Sequence, residues 1–361
     1  MKNSTILAKG VEAIVLGALE GGIDCYFGYP ITPQNDIIEL MSKELPKRGK
    51  VFLQAESELS AINMVLGASA TGKRAMTSSS SPGISLMCEA FSYLAALELP
   101  AVIVNVMRGG PGLGGIEVSQ GDYFQAVKGG GHGDYKFFVL APYNAQEAYE
   151  LTAKAFEIAE RYRNPVMILS DAILGQMKES LKLKKLKIKR YPVDSWALTG
   201  TQNRPSRYIR SLFLEAEKIR EKNLILQKKY KKMEKEAKAE VDLNGDEEII
   251  LVAFGSMARL AKEVCKNMRN QGYAIGIIRP ITLFPFPKKA IEKALINKKK
   301  PPIFIVSELN CGQMVEDVKL IIEGRAKVVS LPYPPSVIPF PEDIEKEIKK
   351  CLKNSLNPLK V

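Results

Sequence analysis

Histidine and paired cysteines are the scarcest features of this 361-residue sequence. Its one histidine, His132, lies in GGGHGD, where a structural or surface histidine is more typical than a proton shuttle. A single histidine also limits any Ser-His-Asp arrangement. The five cysteines are scattered without a C-x-x-C pair, which excludes a self-contained zinc or iron–sulfur site and favours a reducing cytosol. We therefore expect no metal centre on this chain.

Long apolar runs and standard phosphate-binding loops are also missing. No uncharged stretch is long enough to cross a bilayer, and MKNSTILAKG leads directly into a predicted amphipathic helix without a signal peptide. The segment RGGPGLGG gives neither G-x-x-x-x-G-K-[ST] nor G-x-G-x-x-G, and no G-x-S-x-G elbow occurs. These absences predict a cytoplasmic protein outside the membrane and exclude the common nucleotide-binding loops.

Positive charge, in contrast, is plentiful. The net charge is +12, and the excess is concentrated in three lysine-rich stretches at residues 181–190, 227–238 and 297–300. No RNP-type aromatic motif, helix-turn-helix cue or zinc-finger spacing accompanies the lysines, so we do not expect nucleic-acid binding. Solvated faces, or a docking surface for an acidic partner, fit this distribution better.

The pattern of strands and helices predicts an α/β protein with two domains. Residues 1–180 alternate apolar strands with helices, which is typical of a doubly wound parallel sheet covered on both faces. Residues 181–245 form a basic connector with a long charged helix, whose narrow stripe of Ile219, Leu226 and Met233 we expect to lie against the protein itself. Residues 246–361 resume the alternation as a second, smaller α/β domain.

Three unusual segments follow predicted strands of the first domain. They are YPITP at residues 29–33, TSSSSPG at residues 77–83 and MRGGPGLGG at residues 107–115. Right-handed crossovers bring such loops to one edge of the sheet, where open α/β folds bind ligands. The prolines of YPITP predict a rigid extended loop that presents Thr32, with Pro33 as the first residue of the next helix.

Two charged side chains are candidates for chemistry at that edge. Glu58 opens a helix directly after a strand, where a partly apolar pocket would raise its pKa, although glutamate is also common there because it complements the helix dipole. Arg108 ends the apolar strand AVIVNVM, a position suited to bidentate capture of a carboxylate. An ordinary surface arginine is the alternative. Spacing alone favours the helix-dipole role for Glu58 and does not decide between the two roles of Arg108.

Taken together, the motifs resemble a known family. YFGYPITPQNDI, QAESELSAINMVLGAS, TSSSSPGISLM, VNVMRGGPGLG and SQGDYFQAVKGGGHGDY are similar to the alpha-type subunit of 2-oxoacid:ferredoxin oxidoreductases. WALTG, LVAFGSMAR, IIRPITLFPFP and ELNCGQMVEDV are similar to the second half of the same subunit. The resemblance covers nearly the whole chain in matching order. It implies a pyrimidine-type thiamine diphosphate domain followed by a transketolase-C-terminal-like domain.

The family's activity is what the resemblance implies for this chain. These enzymes use thiamine diphosphate to decarboxylate a 2-oxoacid, pass electrons through iron–sulfur clusters to ferredoxin and release an acyl-CoA. The match at SELSAINMVLGA puts Glu58, rather than Glu56, on the catalytic glutamate that bonds the aminopyrimidine ring. Thr32 and Arg108 fall on substrate-binding positions. Tyr29, Pro30, Thr32 and Glu58 fall on cofactor-binding positions.

The resemblance also implies partner subunits. The G-D-G motif that holds Mg²⁺ and the diphosphate is missing, as are ferredoxin-type cysteine runs. We therefore expect one subunit of a hetero-oligomer that shares its cofactor with a beta-type subunit carrying Mg²⁺. Gamma-type and ferredoxin-like delta-type subunits would complete it, with the 4Fe-4S clusters outside this chain. The complex would use CoA, a 2-oxoacid and ferredoxin.

The segment RGGPGLGGIEVSQGDYFQAVKGGGHGDY is most similar to the branched-chain type, which acts on 3-methyl-2-oxobutanoate (2-ketoisovalerate). No second basic residue near Arg108 is available to pair the distal carboxylate of 2-oxoglutarate. A 2-oxoglutarate enzyme remains the alternative. A non-catalytic assembly protein that kept the fold is another, but the presence of Thr32, Glu58 and Arg108 together favours an enzyme.

Overall fold

The computed structural model describes residues 4–296 and 300–356, so most of the lysine stretch at 297–300 lies outside the described residues. The strands, in chain order, are β1 (Ser4–Lys9), β2 (Cys25–Gly28), β3 (Val51–Gln54), β4 (Ala75–Ser79), β5 (Val102–Met107), β6 (Phe138–Leu140), β7 (Val166–Asp171), β8 (Lys178–Leu183), β9 (Ala239–Asp242), β10 (Ile249–Val252), β11 (Ile275–Pro280), β12 (Thr282–Phe284), β13 (Ile303–Glu308) and β14 (Val328–Pro332).

The α-helices, in chain order, are α1 (Gly10–Glu20), α2 (Asn35–Glu44), α3 (Glu58–Ala70), α4 (Ser81–Ala96), α5 (Tyr123–Lys128), α6 (Ala145–Tyr162), α7 (Ala172–Gln176), α8 (Ala216–Met233), α9 (Gly255–Asn270), α10 (Lys288–Leu295), α11 (Met314–Ile322) and α12 (Pro341–Leu356). Short 3-10 turns occur at Pro46–Arg48 and Glu234–Glu236. Among the described residues, no helix is long and apolar enough to cross a membrane.

The first domain is built on a seven-stranded sheet in the order β12-β6-β7-β5-β4-β2-β3. All neighbouring pairs are parallel except β12 with β6. Strand β5 shows why both faces are covered, because its residues alternate between two cores. Ile103 packs into the cluster with α3 and α4, while Val102 and Val104 pack into the cluster with α1 and α6. The predicted doubly wound sheet is confirmed.

The second domain has a five-stranded sheet in the order β14-β13-β10-β11-β9, in which only β9 is antiparallel. This is the predicted smaller α/β unit. Each sheet also receives a strand from elsewhere in the chain. β9, from the predicted connector, pairs with β11 of the second sheet. β12, from the predicted C-terminal domain, pairs with β6 and forms the edge strand of the first sheet. The domain limits at residues 180 and 245 stay a prediction.

The amino terminus differs from the prediction. Residues 4–9 do not lead directly into a helix but form β1, which pairs antiparallel with β8, and α1 begins only at Gly10. Ser4 lies opposite Leu183 and Lys9 opposite Lys178. The alternation of KESLKL in β8 supplies the partner strand, so a contact between distant parts of the chain overrides the local helical pattern.

The long charged helix α8 lies against the protein over only part of its length. Leu226, Tyr230 and Met233 are buried, whereas Ile219 is exposed. The predicted apolar stripe therefore packs in the second half of the helix only. Ahead of α8, residues 184–215 contain neither helix nor strand.

Candidate active site

Three neighbouring parallel strands, β2, β4 and β5, bring the three unusual segments together. The loops that follow these strands emerge at the same edge of the sheet, because the strands are adjacent and run in one direction. The prediction that YPITP, TSSSSPG and MRGGPGLGG meet at one edge is confirmed.

A buried glutamine, Gln34, anchors the loop after β2 to the neighbouring strand β4. Gln34 accepts a hydrogen bond from Ser78 Oγ (2.5 Å) and donates one to the carbonyl of Tyr29 (3.3 Å), while Ser78 Oγ also lies 2.6 Å from Tyr26 Oη. Helix α2 begins at Asn35, with Gln34 as its N-cap residue. The prediction that Pro33 is the first helical residue was wrong.

The side chains of the loop itself face outward. Tyr29, Pro30 and Thr32 are exposed, whereas Pro33 is buried. A second glutamine fixes the loop from the side, because Gln176 Nε2 donates to the carbonyl of Pro33 at 2.7 Å. The predicted rigid loop therefore has identifiable supports, and its outer side chains are open to a ligand or a partner.

Arg108 lies beside that loop and is only 7% exposed, so it is not an ordinary surface arginine. Its Nη1 donates to the carbonyl of Thr32 at 3.0 Å, and its Nη2 donates to the carbonyl of Leu113 at 2.9 Å. Its Nε is buried without a hydrogen-bond partner among the described residues. The structure thus brings the two predicted substrate-binding residues together, with Arg108 bridging two loops.

A small polar network supports the backbone of Arg108. Its N–H donates to Ser81 Oγ (3.0 Å), and Ser81 Oγ donates to the carboxylate of Asp122 (2.6 Å). Asn105 Nδ2 also donates to Asp122, at 2.8 Å. Burial raises the pKa of Asp122 above its usual range, against these stabilising bonds. The three polar residues were not predicted from the sequence, although Ser81 lies within TSSSSPG.

The glycine-rich segment after β5 closes into a tight loop. Gly109 N–H donates to the carbonyl of Glu117, and Gly115 N–H donates to the carbonyl of Gly109, each at 2.9 Å. At Gly114 the φ angle is +61°, and a Cβ atom would lie 1.8 Å from the carbonyl oxygen of Gly109. Only glycine fits there. The loop presents Leu113, 78% exposed, at its tip.

Glu58 is the first residue of α3, as predicted, with Ser57 as the N-cap that accepts from Ser60 N–H at 3.2 Å. The Glu58 side chain is 6% exposed and has no hydrogen-bond partner among residues 4–296 and 300–356. Glu56, in contrast, is exposed and accepts from Ser60 Oγ at 2.5 Å. Of the two glutamates, Glu58 is therefore the buried one and Glu56 the exposed one.

The Glu58 carboxylate lies against the start of α4. A Cβ atom on Gly83 would lie 2.4 Å from Glu58 Oε1 and 2.1 Å from Ser79 Oγ, so the absence of a side chain at Gly83 makes room for both. The hydroxyls of Ser79 and Ser80 are buried and have no partner among the described residues. The Glu58 carboxylate and the buried Ser79 hydroxyl therefore share one small region without partners among the described residues.

The second domain anchors the loop between Arg108 and α5. Gln120 is fully buried, donates to the carbonyl of Phe254 (2.8 Å) and accepts from Leu309 N–H (3.1 Å). Asn310 Nδ2 donates to the carbonyl of Gln120 at 3.0 Å. Sequence reasoning missed this junction. ELNCGQMVEDV had been assigned only as a family motif, with no sign of what it contacts.

His132 is exposed, which agrees with the prediction of a surface histidine. Within 4–296 and 300–356, no group of three or more His, Cys, Asp and Glu side chains is arranged to hold a metal ion.

Two solved structures share this architecture. A 2-oxoglutarate:ferredoxin oxidoreductase from Magnetococcus marinus, with 2-oxoglutarate, coenzyme A and succinyl-CoA bound, superposes with a TM-score of 0.83 at 26% identity. The match covers 96% of this chain, which spans 65% of that longer chain. A split-gene transketolase shares the fold, with a TM-score of 0.58 at 14% identity over 95% of this chain and 96% of that one. The fold is that of a pyrimidine-type thiamine domain with a transketolase-C-terminal-like domain.

Sequence comparison identifies the family. The profile described as pyruvate flavodoxin/ferredoxin oxidoreductase, thiamine diphosphate-binding, matches residues 16–245, and pyruvate:ferredoxin oxidoreductase core domain II matches residues 247–335. Ketoisovalerate oxidoreductase subunit VorB of Methanothermobacter thermautotrophicus is 48% identical, covering 88% of this chain and 90% of that protein. 2-Oxoglutarate synthase subunit KorA of Archaeoglobus fulgidus is 40% identical, covering 90% and 93%. The chain belongs to the 2-oxoacid:ferredoxin oxidoreductase family, and its relatives are subunits of such enzymes.

Proposed function

We propose that this chain is the alpha-type subunit of a 2-oxoacid:ferredoxin oxidoreductase that acts on branched-chain 2-oxoacids. The substrate is 3-methyl-2-oxobutanoate, which the complex oxidatively decarboxylates to its acyl-CoA while reducing ferredoxin. The substrate class is inferred from the cleft beside Thr32, which has apolar side chains on one wall and no cation in its described lining. The 48% identity to a protein named for ketoisovalerate supports the same choice.

The cleft has a volume of about 610 Å³ and an apolar wall formed by Ile116, Val118 and Ile173. Its described lining also includes the carboxylates of Asp36 and Glu117 but no lysine or arginine. The nearby Lys9 is already paired with Asp36, at 2.7 Å. A branched apolar tail would gain free energy by burial here, whereas the second carboxylate of 2-oxoglutarate would lose hydration without finding a cation.

The residues at the sheet edge fit the aminopyrimidine half of thiamine diphosphate. Glu58 offers a buried carboxyl, and Ser79 beside it offers a buried hydroxyl; neither has a hydrogen-bond partner among the described residues. Buried polar groups without partners in a native fold call for an explanation, and a ligand with ring nitrogens and an amino group supplies one. When bound, thiamine diphosphate provides the electron sink that decarboxylation of a 2-oxoacid requires.

Each residue of the chain then has a defined task. Glu58 holds or shares a proton at its carboxyl with a ring nitrogen. Tyr29 and Pro30 shape the loop wall on the cofactor side, and the exposed Thr32 hydroxyl donates a hydrogen bond to the substrate's oxo group. Arg108 attracts the substrate carboxylate, with Nε–H as its free donor, while its Nη atoms keep the two loops in place.

The remaining parts of the enzyme belong to partner subunits in this proposal. A beta-type subunit holds the diphosphate end with Mg²⁺. Gamma-type and ferredoxin-like delta-type subunits carry the 4Fe-4S clusters toward ferredoxin. The assembled complex works in the cytoplasm.

The test is a substrate panel on the complex purified with its native partners. We expect the highest kcat/KM for 3-methyl-2-oxobutanoate, lower values for longer branched homologues and very low values for 2-oxoglutarate. A preference for 2-oxoglutarate would move the assignment to that alternative. An assembled, cofactor-loaded complex that turned over no 2-oxoacid would support a non-catalytic assembly protein instead. The chain alone should be inactive, so full activity without partners would contradict the subunit assignment.

A further inference from the structure

Residues 206–214, SRYIRSLFL, lie ahead of α8 without an assigned helix or strand, and we call this segment the strap. Its side chains alternate in exposure. Those at positions 207, 209, 211 and 213 are half-buried, whereas those at 206, 208, 210, 212 and 214 are exposed. The outward set includes three large apolar side chains, with Tyr208 86%, Leu212 72% and Leu214 89% exposed. The strap thus has the two-residue period of a half-buried β-strand.

No sheet accompanies this strand. Among the described residues, no backbone N–H or C=O of residues 206–214 has a hydrogen-bond partner in the protein. Residues 206–213, which have the side-chain alternation of an extended strand, therefore have backbone donors and acceptors that are unpaired among the described residues, and Leu214 lies in a bend. Such an edge is a template for pairing with another chain.

The inward side chains hold the strap in this extended form. Ile209 packs against the large core cluster, and Arg207 Nη1 donates to the carbonyl of Ala197 at 3.0 Å. Phe213 lies under Arg210, with the guanidinium carbon 5.0 Å from the ring centre. Because the segment is already extended, a partner strand would pay less ordering entropy on binding.

The charge of the strap defines the chemistry of its partner. Neither Arg207 nor Arg210 is within ion-pair distance of a carboxylate among the described residues. Both border a cavity of about 380 Å³ that the half-buried Arg163 also lines, beside Trp196. Positive charge and exposed apolar side chains therefore lie together along the strap. This combination complements a partner chain that is acidic and partly apolar.

We propose that the strap is a strand-addition site for an acidic segment of another subunit of the hetero-oligomer, an inference that rests on the proposed multi-subunit function. The partner segment pairs its backbone with residues 206–214, places apolar side chains on Leu212 and Leu214, and directs carboxylates to Arg207 and Arg210. A second copy of this chain is a poor occupant. Its net charge is +12, and antiparallel self-pairing centred on Arg210 would oppose like charges.

The strap lies away from the catalytic edge. It packs beside Leu97 and Arg163, which precede β5 and β7, and thus at the amino edge of the seven-stranded sheet. A segment paired with the strap would lie at the opposite edge from Glu58 and Arg108. Assembly through the strap and chemistry at the opposite edge can therefore be measured separately.

Hydrogen–deuterium exchange tests the backbone pairing. The full chain alone and the complex purified with its native partners are compared, with residues 199–204 as the internal control. We expect the strap amides to exchange rapidly in the isolated chain and to slow about tenfold or more in the complex, as amides in a paired strand do. Strap amides that remain unprotected in the complex would overturn the proposal. Protection already present in a dimeric isolated chain would assign the strap to self-association and also overturn it.

Charge and apolar contact are tested by substitution. Leu212→Asp and Arg210→Glu should each weaken binding of the partner subunits by about tenfold or more, without changing the melting temperature of the isolated chain. Leu320→Asp, at a side chain that is exposed on α11, is the matched control and should assemble normally. Normal assembly of both strap variants would exclude this surface. Because the readout is assembly, it is independent of the substrate panel that tests the proposed function.

Discussion

Two buried glutamates lie near the carboxyl edges of the two parallel sheets, and their surroundings differ. Glu308, at the end of β13, is fully buried and accepts hydrogen bonds from Asn310 Nδ2 and from the backbone N–H groups of residues 313, 314 and 315. Glu58, at the start of α3, is 6% exposed and accepts none from the described residues. Burial raises the pKa of Glu308, while its hydrogen bonds act in the opposite direction.

The difference separates a structural carboxylate from one that is available to a ligand. Glu308 uses its oxygens to cap α11 and to fix the junction with the first domain, so it has little capacity for chemistry. Glu58 has no hydrogen-bond partner among the described residues and lies at the edge where open α/β sheets bind ligands in general. Unpaired hydroxyls are a weaker indicator, because Ser256 and Ser307 of the second domain are also buried without partners among the described residues.

The largest expected effect comes from removing the free carboxyl. Glu58→Gln should leave folding and assembly nearly unchanged, because no internal hydrogen bond is lost. Turnover of the complex should fall on the order of 10²-fold or more, the usual scale for a lost general acid–base group. Steady-state kinetics and thermal melting of the purified complex measure both quantities.

Glu308→Gln and Glu56→Gln are the controls for that variant. Glu308→Gln puts an amide among backbone N–H donors and should lower the free energy of unfolding by about 1–3 kcal/mol. Glu56→Gln, at an exposed position just ahead of α3, should change neither quantity. If Glu56→Gln lost turnover while Glu58→Gln kept it, the choice between the two glutamates would be wrong.

Arg108 has both structural hydrogen bonds and an unused donor. Its two Nη atoms donate to backbone carbonyls, whereas its Nε has no partner among the described residues. Arg108→Ala should lower kcat/KM for every 2-oxoacid by a similar factor, equivalent to about 2–4 kcal/mol, because all these acids carry the same carboxylate. Arg108→Lys keeps the charge but cannot bridge two loops and should recover only part of the loss. A variant that lost only 2-oxoglutarate turnover would mean that Arg108 contacts the substrate's tail.

How far the sequence could predict this site depends on the distance over which each contact acts. The period-two and helical patterns are local, and they predicted the sheet, the gathering of three loops and the helix that begins at Glu58. The pairing of β1 with β8 and the bonds from Gln120 to Phe254 and Asn310 join residues more than 130 positions apart in the chain. No local pattern marks those contacts. The inward turn of Gln34 depends on Ser78 and was missed for the same reason.

Filling the space beside Glu58 tests its environment without removing the carboxyl. Gly83→Ala would place a methyl group 2.4 Å from the present position of Glu58 Oε1, so the carboxylate must move. A displacement of about 1 Å at a reacting group can cost up to about 10²-fold, and we expect a fall in turnover of tenfold to hundredfold. Gly67→Ala, on the open side of α3, is the matched control. Wild-type turnover in Gly83→Ala would show that turnover does not depend on the exact position of the Glu58 carboxylate.

The smallest expected effect concerns Lys229, a buried cation on α8 that contrasts with the exposed lysines around it. Burial lowers the pKa of Lys229 from 10.5 to about 8, although Glu98 lies 3.4 Å away and acts in the opposite direction. Between these two pH values the unfolded chain binds more protons at this site than the folded chain does. The stability contributed by Lys229 therefore rises with pH across that window and is lost as the pH falls through 8.

Lys229→Met removes this titration and should flatten part of the pH dependence of stability. Relative to the variant, the wild-type chain should gain free energy of unfolding as the pH rises from 8 to 10, by at most about 1.4 kcal/mol per pH unit for one proton. Urea unfolding at several pH values measures the difference, and Lys228→Met, at an exposed position one residue away, should show no such trend. Parallel pH profiles for wild type and Lys229→Met would show that Lys229 titrates as a solvated lysine. The connector helix would then be less closely packed on the first domain than the contact between Lys229 and Glu98 indicates.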